Sequence, residues 1–294
     1  MGHHVGMQID VNGTRLWFDV EGSALVPEGP TMRERPTVVL LHGGPGSFDH
    51  SYLKPDFTRL SRDAQVVYLD LRGHGRSEWG DPAAWSFEVC ADDVRAFCDT
   101  LGIAKPIVYG HSLGGMVAML YAARHPGHAG GLVLDSTTGR FDVERMVETF
   151  RCLGGDEMAE TIARVYGGDE TVTAEQWSPC WAMFGRWVPG AQEKARIIVN
   201  APLNPPGLVL LSRFHCLDQL GTIDCPTLVC SGALDPATPV AGAREIVEAM
   251  PKGMARLEVI ENAGHFPWRD NPERYWPLMS EFVSRCANPI RQPA

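Results

Sequence analysis

A set of short, uninterrupted apolar runs puts the tightest limit on what this chain can fold into. Thr37–Leu41 (TVVLL), Gln65–Leu69 (QVVYL), Pro106–Tyr109 (PIVY) and Gly131–Leu134 (GLVL) carry no polar alternation. A strand with one wet face alternates, whereas one covered on both faces does not, so these runs read as parallel strands between helical layers. Helix-like stretches separate them. Phe87–Leu101 places Val89, Ala91, Val94, Phe97, Cys98 and Leu101 near helical spacing, and Leu113–Arg124 is rich in Ala, Met and Leu before a stop at His125-Pro126. Strand and helix in alternation predict right-handed βαβ units and an open α/β sheet.

The flanks refine this. Met7–Val11 and Arg15–Val20 read as a hairpin joined at Asn12-Gly13, a pair that suits a tight turn with positive φ. Pro27–Pro36 reads as a loop. After Ser136 the rhythm breaks. Residues 140 to about 215 hold helical pieces (Val143–Phe150, Glu157–Val165) with Gly and Pro breaks and no core strand. It resumes with Pro226–Cys230 (PTLVC), helix Val240–Met250, strand Arg256–Ile260 and helix Pro272–Cys286. The expected organisation is a core of 1–139 and 216–294, interrupted by a helical cap at 140–215.

Composition narrows the partners. The chain has 294 residues, of which 44% are hydrophobic and 21% charged, enough for a core without metals or disulfides. Its net charge of -10, from 26 basic and 36 acidic residues, argues against nucleic acid and against an anionic membrane surface. No segment has the roughly 18 consecutive apolar residues of a membrane span, and MGHHVGMQIDVNG lacks a signal-like apolar region. The eight cysteines form no CxxC pair and no zinc-ligand spacing, and they read as buried free thiols. A cytoplasmic, monomeric or homodimeric protein acting on a small molecule is expected.

Three strand-end features carry chemistry. Gly110-His111-Ser112-Leu113-Gly114 follows PIVY and opens the next helix, as a nucleophile elbow requires. It lacks the full GxGxxG of a dinucleotide site. His42-Gly43-Gly44-Pro45-Gly46 follows TVVLL, and the Gly44 and Leu113 N–H groups would form an oxyanion hole. Asp235 lies after PTLVC and His265 after RLEVI, which gives the order serine, acid, histidine. Asp135, at the end of GLVLD, is a rival acid. His42 and His111 read as turn braces, and so does Asp70 in the loop Asp70–Ser77.

The motifs HGGPG, DLRGHGRS, GHSLGG, GALDP and NAGHF, in this order, resemble the α/β-hydrolase fold superfamily over nearly the whole chain. The resemblance implies an eight-stranded, mostly parallel sheet with a helical cap after the sixth strand. It also implies catalysis by Ser112, Asp235 and His265 with no metal or organic cofactor. Epoxide hydrolases and haloalkane dehalogenases of this fold use an aspartate where Ser112 stands. HGGPG resembles the prolyl iminopeptidase-like group, whose elbow reads G-x-S-W/Y-G, whereas Leu113 here is common in esterases and lactonases. That group's cap acids bind the substrate's amine, and none of Glu144, Glu148, Asp156, Glu157, Asp169 and Glu170 matches them. The first expectation is therefore a serine hydrolase of a small, neutral, partly apolar ester or lactone. A prolyl iminopeptidase-type aminopeptidase is second, and a non-catalytic receptor on the same fold is the alternative of another class. The aromatic stretch of the cap supplies the expected pocket, with Trp177, Trp181, Met183, Phe184 and Trp187, joined by Trp268. Arg186 and Arg213 read more readily as solvated charges than as substrate contacts.

Overall fold

The computed structural model describes residues 7–185, 187 and 189–287; Arg186 lies outside the described residues. Strands β1 (Met7–Val11) and β2 (Thr14–Glu21) form the N-terminal hairpin, with Asn12 at φ 45 and Gly13 at φ 70 in its turn. β3 (Leu25–Glu28) and β4 (Thr31–Glu34) then pair as a separate two-stranded sheet. The sequence reads this region as a loop. It escapes recognition because both strands are almost wholly exposed, so no buried face imposes an apolar pattern.

The core follows as β5 (Thr37–Leu41), α1 (Lys54–Phe57), β6 (Gln65–Leu69), α2 (Phe87–Thr100), β7 (Ile107–His111), α3 (Leu113–Arg124) and β8 (Gly131–Asp135). Five α-helices come next among the described residues: α4 (Val143–Gly154), α5 (Asp156–Tyr166), α6 (Ala174–Ala182), α7 (Ala191–Lys194) and α8 (Asn204–Leu211). The core closes with β9 (Thr227–Gly232), α9 (Val240–Ala249), β10 (Ala255–Ile260), α10 (Pro267–Asp270) and α11 (Pro272–Ala287).

One eight-stranded sheet results, in the order β1-β2-β6-β5-β7-β8-β9-β10. β2 runs antiparallel to both its neighbours, and β6 through β10 run parallel. The central strands are buried on both faces, which is what their unbroken apolar runs require. α3 is buried around most of its circumference, hence its uniformly apolar sequence.

Chain order reverses at β5, whose neighbours are β6 on one side and β7 on the other. Loops leaving β5 and β7 diverge there and open a crevice at the carboxyl ends of the strands, the usual place for a ligand in an open α/β sheet. Helices α4–α8 lie between β8 and β9 in the chain. Arg140 and His215 form an antiparallel bridge, flanked by Phe141 N–H to the Phe214 carbonyl (3.0 Å) and Cys216 N–H to the Gly139 carbonyl (2.8 Å). This helical insert therefore leaves and rejoins the core at one point.

Candidate active site

The turn after β7 is tight for a stated reason. Ser112 sits at φ 55, ψ -117, a region that costs a non-glycine residue about 1–3 kcal/mol. A Cβ on Gly110 would overlap the Gly114 carbonyl, and one on Gly114 would overlap the Leu41 carbonyl. Only glycine at both positions lets β7, α3 and β5 approach this closely. Ser112 N–H donates to the Asp135 carbonyl (2.9 Å), and its own carbonyl accepts from Thr137 Oγ1 (2.7 Å). The strained residue is held from both sides.

The loop after β5 lies beside it. Gly43 N–H donates to the Tyr52 hydroxyl (2.8 Å). His42 Nε2 accepts from Leu71 N–H (3.1 Å), so its Nδ1 carries the proton and donates to the Gly43 carbonyl (2.6 Å). Burial keeps His42 neutral by pushing its pKa down. The side chain thus braces the loop. Asp70 does likewise, accepting from His50 N–H (2.9 Å), His50 Nδ1 (2.7 Å) and Arg76 N–H (2.9 Å).

Two acids compete for the histidine, and geometry separates them. His265 Nδ1 donates to Asp235 Oδ2 at 2.8 Å. Asp235 also accepts from Ala237 N–H (2.9 Å), Thr238 N–H (3.1 Å) and Thr238 Oγ1 (2.8 Å). Burial alone would raise its pKa. The charge and hydrogen bond of His265, with the Thr238 donors, outweigh burial and hold the carboxyl below its ordinary value. Asp135 instead accepts from the hydroxyls of Tyr109 (2.8 Å) and Tyr275 (2.6 Å). With neutral donors only, burial pushes its pKa up to about 7.

Ser112, His265 and Gly44 open into one cavity of about 700 Å³ between sheet and insert. Of the expected pocket residues, Trp177, Trp181 and Phe184 line it. The other three do not. Met183 is 37% exposed. Trp187 lies under the Arg269 guanidinium (4.1 Å) and donates to Glu193 (3.3 Å). Trp268 is buried behind His111, with rings 4.9 Å apart, and donates to Asp56 (3.2 Å). Consecutive aromatics here follow no single period, so the sequence does not divide those facing the cavity from those facing the core. Arg213 is exposed and away from the cavity.

Sequence reasoning missed Phe48, Tyr52, Phe141, Tyr166 and Phe266, which also line the cavity. Phe266, next to His265, carries a positional signal; Phe141 and Tyr166 are joined only by the insert's fold. Asp169 and Glu170 reach the lining as well. Asp169 is occupied by Thr171 (2.6 Å) and Arg164 (2.8 Å), which together pull its pKa down to about 2, and Glu170 is exposed. Among the described residues, no lysine or arginine lines the cavity.

All eight cysteines are free; Cys152 is exposed, Cys286 half-buried and the rest buried. Among the described residues, no helix is long and apolar enough to cross a membrane. Asp49, His50 and Asp70 form a buried cluster of potential metal ligands, but their near oxygens and Nδ1 already bond one another and neighbouring N–H groups.

The chain is similar to several known proteins. The profile of a family described as alpha/beta hydrolase fold matches residues 36–155. A proline iminopeptidase of Heyndrickxia coagulans is 26% identical, covering 94% of this chain and 97% of its own. A pimeloyl-[acyl-carrier protein] methyl ester esterase of Chromobacterium violaceum is 28% identical, covering 87% and 98%. The crystal structure of VinJ superposes with a TM-score of 0.78 at 27% identity, covering 96% of this chain and 99% of that one.

Proposed function

We propose that this chain, which has the α/β-hydrolase fold, is a serine hydrolase of a small, neutral, partly apolar carboxylic ester or lactone. One observation carries the reading: Ser112 and His265 share a cavity, with Asp235 bonded behind His265 at 2.8 Å. The ionised Asp235 only accepts, so the neutral imidazole keeps its proton on Nδ1 and its Nε2 serves as base. Ser112 Oγ attacks the substrate carbonyl carbon and yields its proton to Nε2. The oxyanion rests on the N–H groups of Gly44 and Leu113, at the positive end of α3. Nε2 then protonates the leaving alcohol oxygen, and an acyl-enzyme remains. Water attacks it through the same base, which releases the acid and restores Ser112.

Residues 140–215 act as the cap and the flanking segments 1–139 and 216–294 as the catalytic core. Aromatic and aliphatic groups dominate the cap's share of the lining, in keeping with an apolar acyl or alkoxy group. The esterase relative supports the ester reading. An aminopeptidase is the second reading, favoured by the iminopeptidase relative and by Glu170 at the cavity. It ranks second because Asp169 is already neutralised by Arg164 and Glu170 is solvated. The test sets p-nitrophenyl butyrate against proline β-naphthylamide, with wild type and Ser112→Ala. Ester turnover lost in Ser112→Ala supports the first reading. Preferential turnover of the amide transfers support to the second, and ester turnover that survives in Ser112→Ala removes both.

A further inference from the structure

Tyr52 lines the cavity but has no part in the reaction written above. Its surroundings fix the direction of a buried hydrogen-bond chain. His111 is buried, and burial holds its pKa far below the usual histidine range, so the ring is neutral and carries one proton. His111 Nε2 lies 2.8 Å from the carbonyl oxygen of His265, which can only accept. The proton is therefore on Nε2, and Nδ1 is an acceptor. Nδ1 lies 2.7 Å from the Tyr52 hydroxyl, which must donate to it. The hydroxyl oxygen in turn accepts Gly43 N–H at 2.8 Å.

The chain runs head to tail from Gly43 N–H to Tyr52 O–H to His111 Nδ1, and from Nε2–H to the His265 carbonyl. Each bond polarises the next in a dry interior. It ties together three separate loops: the one after β5 with the oxyanion donor Gly44, the elbow after β7, and the one after β10 with His265. Each of these loops leaves a different strand, and their mutual spacing decides whether donor, nucleophile and base converge on one carbonyl. An error of about 1 Å in such a constellation can cost roughly 100-fold in rate.

We infer that Tyr52 is a positioning residue, which through His111 sets the oxyanion loop and the catalytic histidine in register about Ser112. This rests on the serine-hydrolase reading. Phe in place of Tyr52 keeps the packing and removes both hydrogen bonds. His111→Gln keeps a donor toward the His265 carbonyl and takes away the acceptor at the Nδ1 position that Tyr52 meets. Trp187, whose ring stacks on Tyr52 at 6.1 Å, supplies a packing control as Trp187→Phe.

The experiment measures labelling rate with a fluorophosphonate, kcat and KM on p-nitrophenyl butyrate, and Tm for each variant. Absence of Ser112 labelling in wild type refutes the serine-hydrolase reading itself, and the positioning role falls with it. With wild type labelled, Tyr52→Phe should label and turn over roughly 10- to 100-fold more slowly with KM within about twofold, the signature of lost geometry. His111→Gln should do the same, and the double variant should be no slower than the slower single one, because both break one chain. Trp187→Phe should keep kcat even where its Tm falls as far. A wild-type rate in Tyr52→Phe, or in His111→Gln if Tyr52→Phe does not fold, overturns the inference. So does additive loss in the double variant, or an equal kcat loss in Trp187→Phe.

Discussion

The floor and the ceiling of the cavity are built differently. The floor is backbone: glycine turns, N–H groups and short polar side chains, each fixed by a partner within the sheet's own loops. The ceiling is side chain: Trp177, Trp181 and Phe184 from the insert, meeting Phe48 and Phe266 from the core. Backbone geometry tolerates almost no substitution, whereas aromatic surfaces can be resized. On the proposed serine-hydrolase reading, the chemistry belongs to the floor and selectivity to the ceiling.

The sharpest way to break this division lies within the floor. Asp235 and Asp135 are both fully buried near the ends of adjacent strands, yet only Asp235 bonds His265. Asp235→Asn should lower kcat by about 10⁴-fold, because the wrong imidazole tautomer is then favoured. Asp135→Asn should change kcat less than about tenfold. Ester kinetics on the two variants decide it, and equal losses would erase the distinction between the acids.

The ceiling should respond in selectivity. Trp181 packs against Phe184 (5.2 Å), Phe48 (5.8 Å) and Phe266 (6.0 Å). Trp181→Ala should raise the kcat/KM ratio of p-nitrophenyl octanoate to acetate by about tenfold or more, at roughly 0.8 kcal/mol for each newly buried methylene. kcat on the acetate should stay within about threefold. Loss of kcat on every chain length would place Trp181 in the chemistry instead.

The smallest effect is on stability. The pKa of Asp135 is raised by folding, so its favourable contribution is full below the ordinary carboxylate pKa and is lost as pH rises to about 7. Asp135→Asn removes that dependence, so its Tm relative to wild type should climb between about pH 4 and pH 7. A constant Tm difference across that range would mean that Asp135 titrates normally.

Legibility in the sequence follows the same division. Thr37–Leu41, Gln65–Leu69 and helix Leu113–Arg124 stand where their patterns put them, because two-sided burial leaves a residue-by-residue record. GHSLG and HGGPG are legible because steric crowding at Gly110 and Gly114 in the first and at Gly46 in the second admits one residue type. The hairpin β3–β4 left no such record, being exposed on both faces. Trp187 and Trp268 were legible as aromatic but not as turned away from the cavity, since Arg269 and Asp56, which hold them, are distant from the insert or from each other in sequence. Tyr52 is a single polar aromatic in an irregular segment, and its meaning comes only from the partners Gly43 and His111 that the fold brings to it.

The central claim is that Ser112 is a nucleophile activated by His265. A fluorophosphonate probe followed by peptide mass spectrometry tests it directly. The account predicts one adduct per chain, on the peptide containing Ser112, and none in His265→Ala at equal exposure. An adduct on another residue, or undiminished labelling of Ser112 without His265, would contradict it.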